Sequence, residues 1–179
     1  YWIGNGMEVS SLYPFYYAKT FYDGQKSEGQ NEILNLIRCA FLGSQRFGVV
    51  LWSGDICADF DSLRRQIKTG LHVAVSGFMV DHRYWRFHGG DPDSEEYREC
   101  MIRWFQFGAF CPVFRMHGFR DKKDRPVSPP VTMDGFCYSG GANELWSYGE
   151  EAYSIMEHYV MIRERLRPYI SRQFRIASE

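Results

Sequence analysis

Arg38, Asp55 and His117 carry side chains of the kinds that hold polar ligands or move protons. Each closes a short apolar run: ILNLIRC (33–39), FGVVLWSGD (47–55) and FCPVFRMHG (110–118). In a (β/α) barrel the carboxyl ends of the strands form the active-site face, and a purely structural charge has no reason to recur there. Gly54 and Asp55 alone would read as a turn. Three strand-end polar residues in succession favour a site.

The surrounding pattern alternates strand and helix. SLYPFYYAKTFYDGQ (11–25) reads as a helix with Ser11 as its cap, followed by the polar turn KSEGQNE. Strands are expected at Ile33–Cys39 and Phe47–Asp55, with Asp59 and Asp61 capping a helix that Gly70 stops. LHVAVSG (71–77) reads as a third strand. Ser94 is an N-cap candidate for the helix EEYRECMIRWFQFG, and a fourth apolar run ends at His117. This order implies parallel strands joined by crossover helices, either an open doubly wound sheet or part of an eight-fold barrel, and the strand-end residues favour the barrel. A whole barrel takes about 250 residues, whereas only four units are counted here. The expected fold class is therefore α/β, a partial (β/α)8 TIM barrel forming its C-terminal half. Residues 1–179 would be part of one domain, truncated at both ends, and residues 118–148 a long loop or small excursion. A long helix starts near Gly149, with Ala152, Ile155, Met156, Tyr159, Val160 and Met161 near helical spacing, and Pro168 is expected to break it. The charges of Arg163, Glu164, Arg165 and Arg167 read as a solvated or interdomain face.

Composition bounds the function. The 179 residues are 45% hydrophobic with a net charge of −1, so there is no general attraction to nucleic acid or to an anionic membrane. Aromatic residues make up 17%, and flat apolar rings stack well on the C–H faces of sugars, although most are expected to fill a core. Five cysteines, Cys39, Cys57, Cys100, Cys111 and Cys137, lack metal-site or redox spacing and read as reduced, buried thiols. With no signal-peptide pattern this favours a cytoplasmic setting. Arg46 and Arg115 read as structural ion-pair partners.

RCAFLGSQRFGVVLWSGDI, RWFQFGAFCPVFRMHG, and SYGEEAY followed by RERLRPYI together resemble glycoside hydrolase family 31, the α-glucosidase and α-xylosidase family, in a bacterial branch. The resemblance implies a retaining α-glycosidase that needs neither metal nor organic cofactor. Asp55, in WSGD, matches the general acid/base, whose pKa must be raised for it to be protonated near neutral pH. Arg38 and His117 match residues that hydrogen-bond hydroxyls of the sugar being cleaved, and Trp52 matches an aromatic wall of that subsite. Retention requires a second carboxylate as nucleophile, which the family carries upstream in a WLDE-like or WNDMNE-like motif. No such motif occurs in this chain. The expected partners are an α-linked oligosaccharide or glycoside substrate and the missing N-terminal half of the same enzyme, with association of identical copies left open. A non-catalytic carbohydrate-binding product and a transglycosylase of the same family are the alternatives.

One stretch departs from the family. Where the family shows a run like GIPWWTTDIGGFHGG, this chain has GFMVDHRYWRFHGG, one residue shorter, with matching ends and an unrelated middle. Met79–Arg86 can be coded ATG GTG GAC CAC CGA TAT TGG CGG; read one base later, this gives Trp-Trp-Thr-Thr-Asp-Ile-Gly. The family motif is thus present out of frame, which implies a compensated pair of small deletions in the gene or in its reading. Asp81 lies near the lost Asp but in the wrong frame, so the sugar-binding role is not transferred to it. The foreign charges are expected to displace or disorder the segment.

Overall fold

The computed structural model describes residues 2–54, 56–81, 91–116 and 141–178. Asp55, His117 and Cys137, the stretch 82–90, and most of the expected excursion lie outside the described residues.

The chain opens with a four-residue helix, α1 (Gly6–Val9), capped by Asn5, whose side-chain oxygen accepts the amide of Met7 at 3.0 Å. A 3-10 turn, Ser10–Leu12, leads into α2 (Tyr13–Ser27). Ser11 is therefore inside the 3-10 turn and is not the cap. Leu12 occupies that position without a side-chain bond, and Pro14 in the first turn starts the helix, where a missing N–H costs nothing. Phe15, Ala18 and Tyr22 recur at helical spacing and turn inward, meeting Phe47 and Val49.

Three short strands, β1 (Asn35–Ile37), β2 (Val49–Trp52) and β3 (Met79–Asp81), form a parallel sheet in the order β1-β2-β3. Asn35 lies opposite Val49 and Ile37 opposite Leu51. On the other side of β2, Val50 pairs with Met79 and Trp52 with Asp81. Val49 and Val50 are both buried, as expected of a parallel strand covered on two faces. A 3-10 turn, Ser44–Phe47, flanked by glycines at φ +94° and +62°, joins β1 to β2 without a crossover helix. The second of these, Gly48, admits no other residue. A Cβ there would stand 2.2 Å from the backbone oxygen of Ile33, while the Gly48 carbonyl accepts the Asn35 amide at 2.7 Å.

Between β2 and β3 runs α3 (Phe60–Val75), capped by Asp59, which accepts the Ser62 amide at 2.6 Å. Asp61 stands in its first turn, paired with Arg64, so both carboxylates serve the helix start as expected. The third strand expected at Leu71–Gly77 is instead the second half of this helix. Gly70 does not stop it: Leu63, Ile67 and Gly70 share a face, and Gly70 is buried where no side chain is needed. The apolar Leu71 and Val75 that suggested a strand point to solvent. The helix ends two residues before Gly77, which takes φ +82° and returns its amide to Ala74. Met79–Asp81, expected to be displaced, pairs in the sheet, because ladder hydrogen bonds are made by the backbone and do not require the family's side chains.

The second half of the chain is helical. α4 (Glu95–Gly108) begins where expected, with the Ser94 hydroxyl accepting the Tyr97 amide at 3.3 Å. α5 spans Glu150–Ser178 without a break. Pro168 removes one N–H from its interior, but it lies in an exposed stretch beyond the packed turns, where water can replace the lost partner. Cys100, Met101, Trp104 and Phe105 of α4 pack with Ala152 and Met156 of α5 and with Tyr148 from the 3-10 turn Leu145–Tyr148. Ile155, Tyr159 and Val160 lie against this core, while Met161 faces outward.

After α4 the chain folds back on itself. A Cβ at Gly108 would meet the Phe114 ring at 3.2 Å, and Phe114 sits edge-on to Phe105 at 4.8 Å. The fourth expected strand is reduced among the described residues to an isolated bridge at Val113. Arg163 is no solvated charge. Its guanidinium donates to the carbonyls of Ala109, Cys111 and Pro112 at 3.3, 2.6 and 2.8 Å, and burial lowers its pKa. Arg167 and Glu164, by contrast, form an exposed pair one turn apart. Arg46 gives its Nε hydrogen to the Gly43 carbonyl at 3.3 Å and lies over the Phe47 ring, where an ion pair was expected.

The thiols divide. Cys100 and Cys111 are buried as expected, whereas Cys39 and Cys57 are exposed, because each follows a strand end rather than lying on a packed face. Burial, reinforced by the charges of Asp59, Glu96 and Glu99, pushes the Cys100 thiol from 9.0 to about 11.

Two outcomes follow from this packing. Gly48→Ala should destabilise the chain by at least about 2 kcal/mol, combining the left-handed backbone cost with overpacking, as read from urea denaturation. In native protein at pH 8, iodoacetamide should label the Cys39 and Cys57 peptides and spare those of Cys100 and Cys111, as quantified by mass spectrometry, since about one Cys100 in a thousand is then thiolate. The raised value favours the folded thiol, so this contribution to stability is complete below pH 9.0 and is lost as the pH climbs towards about 11.

Candidate functional site

The last registered pair of the first two strands is Ile37 opposite Leu51. One residue further on stand Arg38, just past β1, and Trp52, which closes β2. The Arg38 guanidinium lies over the Trp52 ring, 4.5 Å from its centroid. Two residues 14 positions apart in sequence are thus brought together by parallel register alone, at the carboxyl edge of the sheet. A guanidinium over an indole face is held by the ring quadrupole, and its N–H donors lie in its own plane, so stacking and hydrogen bonding use different parts of the group.

This pair borders a cavity of about 380 Å³ whose wall also includes Tyr13, Tyr17, Leu36 and Cys39. The size is within the range of small-molecule sites. Tyr13 and Tyr17 were not singled out in the sequence. Their rings stack at 5.8 Å on the first turns of α2. A sequence signal existed, since tyrosines at i and i+4 share a helix face. In a β/α unit the helix starts at the end of the molecule where the strands finish, so the first turn of α2 belongs beside Arg38 and Trp52.

Of the four residues expected to form the site, the structure thus brings two together, Arg38 and Trp52. Asp55 and His117 lie outside the described residues, but both of their supports are visible. Ser53 and Gly54 continue directly from β2, with Gly54 at φ +93°, a conformation that turns the chain sharply just before Asp55. The segment Val113–Met116 that leads to His117 is anchored through Phe114 on α4 and, just upstream, through the Arg163 clamp. Among the described residues no group of three or more His, Cys, Asp or Glu side chains could hold a metal ion. No helix there is long and apolar enough to cross a membrane.

Residues 3–173 match the family model of the glycosyl hydrolases family 31 TIM-barrel domain. The chain belongs to glycoside hydrolase family 31. An alpha-xylosidase of Saccharolobus solfataricus is 33% identical over 173 residues, which cover 94% of this chain and 20% of that protein. A family 31 glucosidase of Pseudescherichia vulneris, named as uncharacterized, is 44% identical over 128 residues, 69% of this chain and 23% of its own length. Among solved structures, a family 31 alpha-xylosidase from a soil metagenome, complexed with xylose, superposes with a TM-score of 0.85 at 45% identity. That match covers 99% of this chain and 26% of the xylosidase. The chain therefore spans about a quarter or less of the length of these relatives. Family 31 structures hold sugars: xylose in the soil-metagenome alpha-xylosidase and glucose in a dextranase of Flavobacterium johnsoniae.

Arg38 is exposed, so its contact with Trp52 should have the strength of an open cation–π pair. A double-mutant cycle of Arg38→Met and Trp52→Leu should give a coupling energy of about 0.5–1 kcal/mol, measured by chemical denaturation. Zero coupling would mean that the two side chains do not hold each other in place.

Proposed function

We propose that this chain is the C-terminal half of a family 31 catalytic barrel, and that it supplies the general acid/base and part of the sugar-binding wall of a retaining α-glycosidase acting on α-xylosides or α-glucosides. The observation that carries the reading is Arg38 held over Trp52 at the carboxyl edge of two parallel strands, on the wall of a cavity of about 380 Å³. Three parallel strands with helices at their flanks are consistent with part of such a barrel.

In this reading Trp52 presents an apolar face to the C–H face of the sugar, and Arg38 and His117 hydrogen-bond its hydroxyls. Orientation is the main contribution of these groups, since a sugar held in one pose meets the acid without a further entropic cost. Asp55, three residues beyond Trp52, donates its proton to the departing glycosidic oxygen as the C–O bond breaks, while the anomeric carbon bonds to a nucleophilic carboxylate. Asp55 then takes a proton from the water that releases the sugar. The nucleophile is supplied by the part of the barrel that this chain lacks, so the chain alone should not hydrolyse a glycoside.

The test is a chimera in which residues 3–173 replace the matching segment of the soil-metagenome alpha-xylosidase. One version carries GFMVDHRYWRFHGG and the other the family-like GIPWWTTDIGGFHGG. The second should be the active one; a lost charged hydrogen bond alone costs about 1.5–3 kcal/mol, or roughly ten- to over a hundredfold in rate. In that version Asp55→Ala should suppress cleavage of poor leaving groups far more than of activated aryl glycosides, with azide partly restoring turnover. Equal losses for both substrate types without azide rescue would place the acid/base role elsewhere. Equal kcat/KM for the two loops would make the present sequence a working variant.

A further inference from the structure

From Ala152 onward the apolar residues of α5 recur at alternating steps of three and four: Ile155, Tyr159, Ile162, Leu166 and Tyr169, then, past the polar Gln173, Ile176. This is the spacing of a seam that a second helix covers along its length. Only the first part of the seam is covered. Ala152, Ile155 and Tyr159 belong to the core shared with α4, whereas Tyr169 is 60% exposed and Ile176 54%. The charges beside the seam change sign along it. Glu151 precedes the seam on one flank, and Arg165 and Arg172 stand on that same flank two and three heptads later. Next to the acidic end, between the first turns of α4 and α5, lies a hollow of about 720 Å³ that shares no lining residue with the cavity beside Arg38. Ile102 of α4 and Ala152 and Ile155 of α5 give it apolar surface. Five glutamates, among them Glu95, Glu99 and Glu151, line it against one arginine, Arg98, whose guanidinium is turned to the Pro92 carbonyl at 2.9 Å. Carboxylates suit helix starts, but gathered on one groove they leave an excess of negative charge that Arg98 alone does not balance.

We propose that two copies of this chain pair through α5 in antiparallel fashion, the exposed last turns of one copy lying in the acid-rimmed groove between α4 and α5 of the other. Antiparallel pairing is the arrangement in which the two ends of α5 complement each other: the exposed Tyr169 and Ile176 cover the apolar groove, and Arg172 faces the partner's Glu151. Two-fold symmetry makes each of these contacts twice, so that both unpartnered stretches are buried at once. A parallel pair would instead set arginine against arginine and glutamate against glutamate. Opposed helix dipoles favour the same direction. The pairing is independent of the glycosidase reading, because it uses no residue of the cavity beside Arg38.

Analytical ultracentrifugation of the chain over a range of concentrations tests this. The parent should sediment as a dimer that dissociates on dilution and weakens as salt is raised. Tyr169→Glu, at an exposed central position of the seam, should weaken it about a hundredfold. Glu151→Arg and Arg172→Glu should each weaken it about tenfold, since each sets like charges together at both ends of the pair. Mixing these two variants is the decisive arm. In the mixed pair each end again brings a carboxylate to a guanidinium, so two chains that are separately monomeric should form a dimer together. That recovery also shows that both variants are folded. A chain that stays monomeric up to millimolar concentration overturns the pairing and leaves the seam to a different partner. So does a dimer that none of the three substitutions weakens, which must be held by another surface. Charge variants that remain monomeric when mixed overturn the antiparallel arrangement.

Discussion

Gly48 sits beneath the carbonyl of Ile33 in a left-handed conformation, nearer than any side chain could tolerate, and passes its own carbonyl to Asn35. That close approach starts the pairing of β1 with β2 and sets its register. Everything at the carboxyl edge of the sheet inherits this register. Counting from Asn35 opposite Val49, the strands carry Arg38 to the level of Trp52, and the cation–π contact is the visible result. A slip of one residue would send each side chain to the opposite face of the sheet and separate the pair. The geometry of the site is thus fixed at the far end of the strands by a residue that takes no part in it.

A second anchor works on the helical side. The chain must reverse after α4, and a reversal leaves carbonyls without helical partners. Arg163 reaches across from α5 to take three of them, using the forked donors that a lysine could not supply. Phe114 fills the space that Gly108 leaves vacant. The two apolar clusters have different tasks: the one around Ala18 and Phe47 supports the sheet, and the one around Trp104 and Met156 locks α4 to α5.

β3 shows how loosely a strand depends on the residues it carries. Met79–Asp81 stands where the family has different side chains, and its backbone still makes the ladder beside β2. Strand pairing is satisfied by N–H and C=O groups that every residue but proline supplies. A family motif, in contrast, is a requirement on side chains. A strand can therefore persist where the family's side chains are absent.

The sequence by itself determined the features written in local spacing. The helix Glu95–Gly108 with its Ser94 cap, the capping of α3 by Asp59, the inward stripe of α5 and the presence of strands within Ile33–Cys39 and Phe47–Asp55, though shorter than expected at both ends, were legible, because caps and periodicity involve residues within a few positions of each other. The family was legible too, through WSGD and RMHG at their separation. The length of α3 was not, since its exposed Leu71 and Val75 obscured the helical period that Leu63, Ile67 and Gly70 continue underneath. Tertiary structure decided the role of Arg163, whose partners lie more than fifty residues away, and the exposure of Cys39 and Cys57. It also decided that Tyr13 shares a wall with Arg38 and Trp52. Such contacts join residues distant in the chain, and no local pattern encodes them until parallel register and helix packing have brought the pieces together.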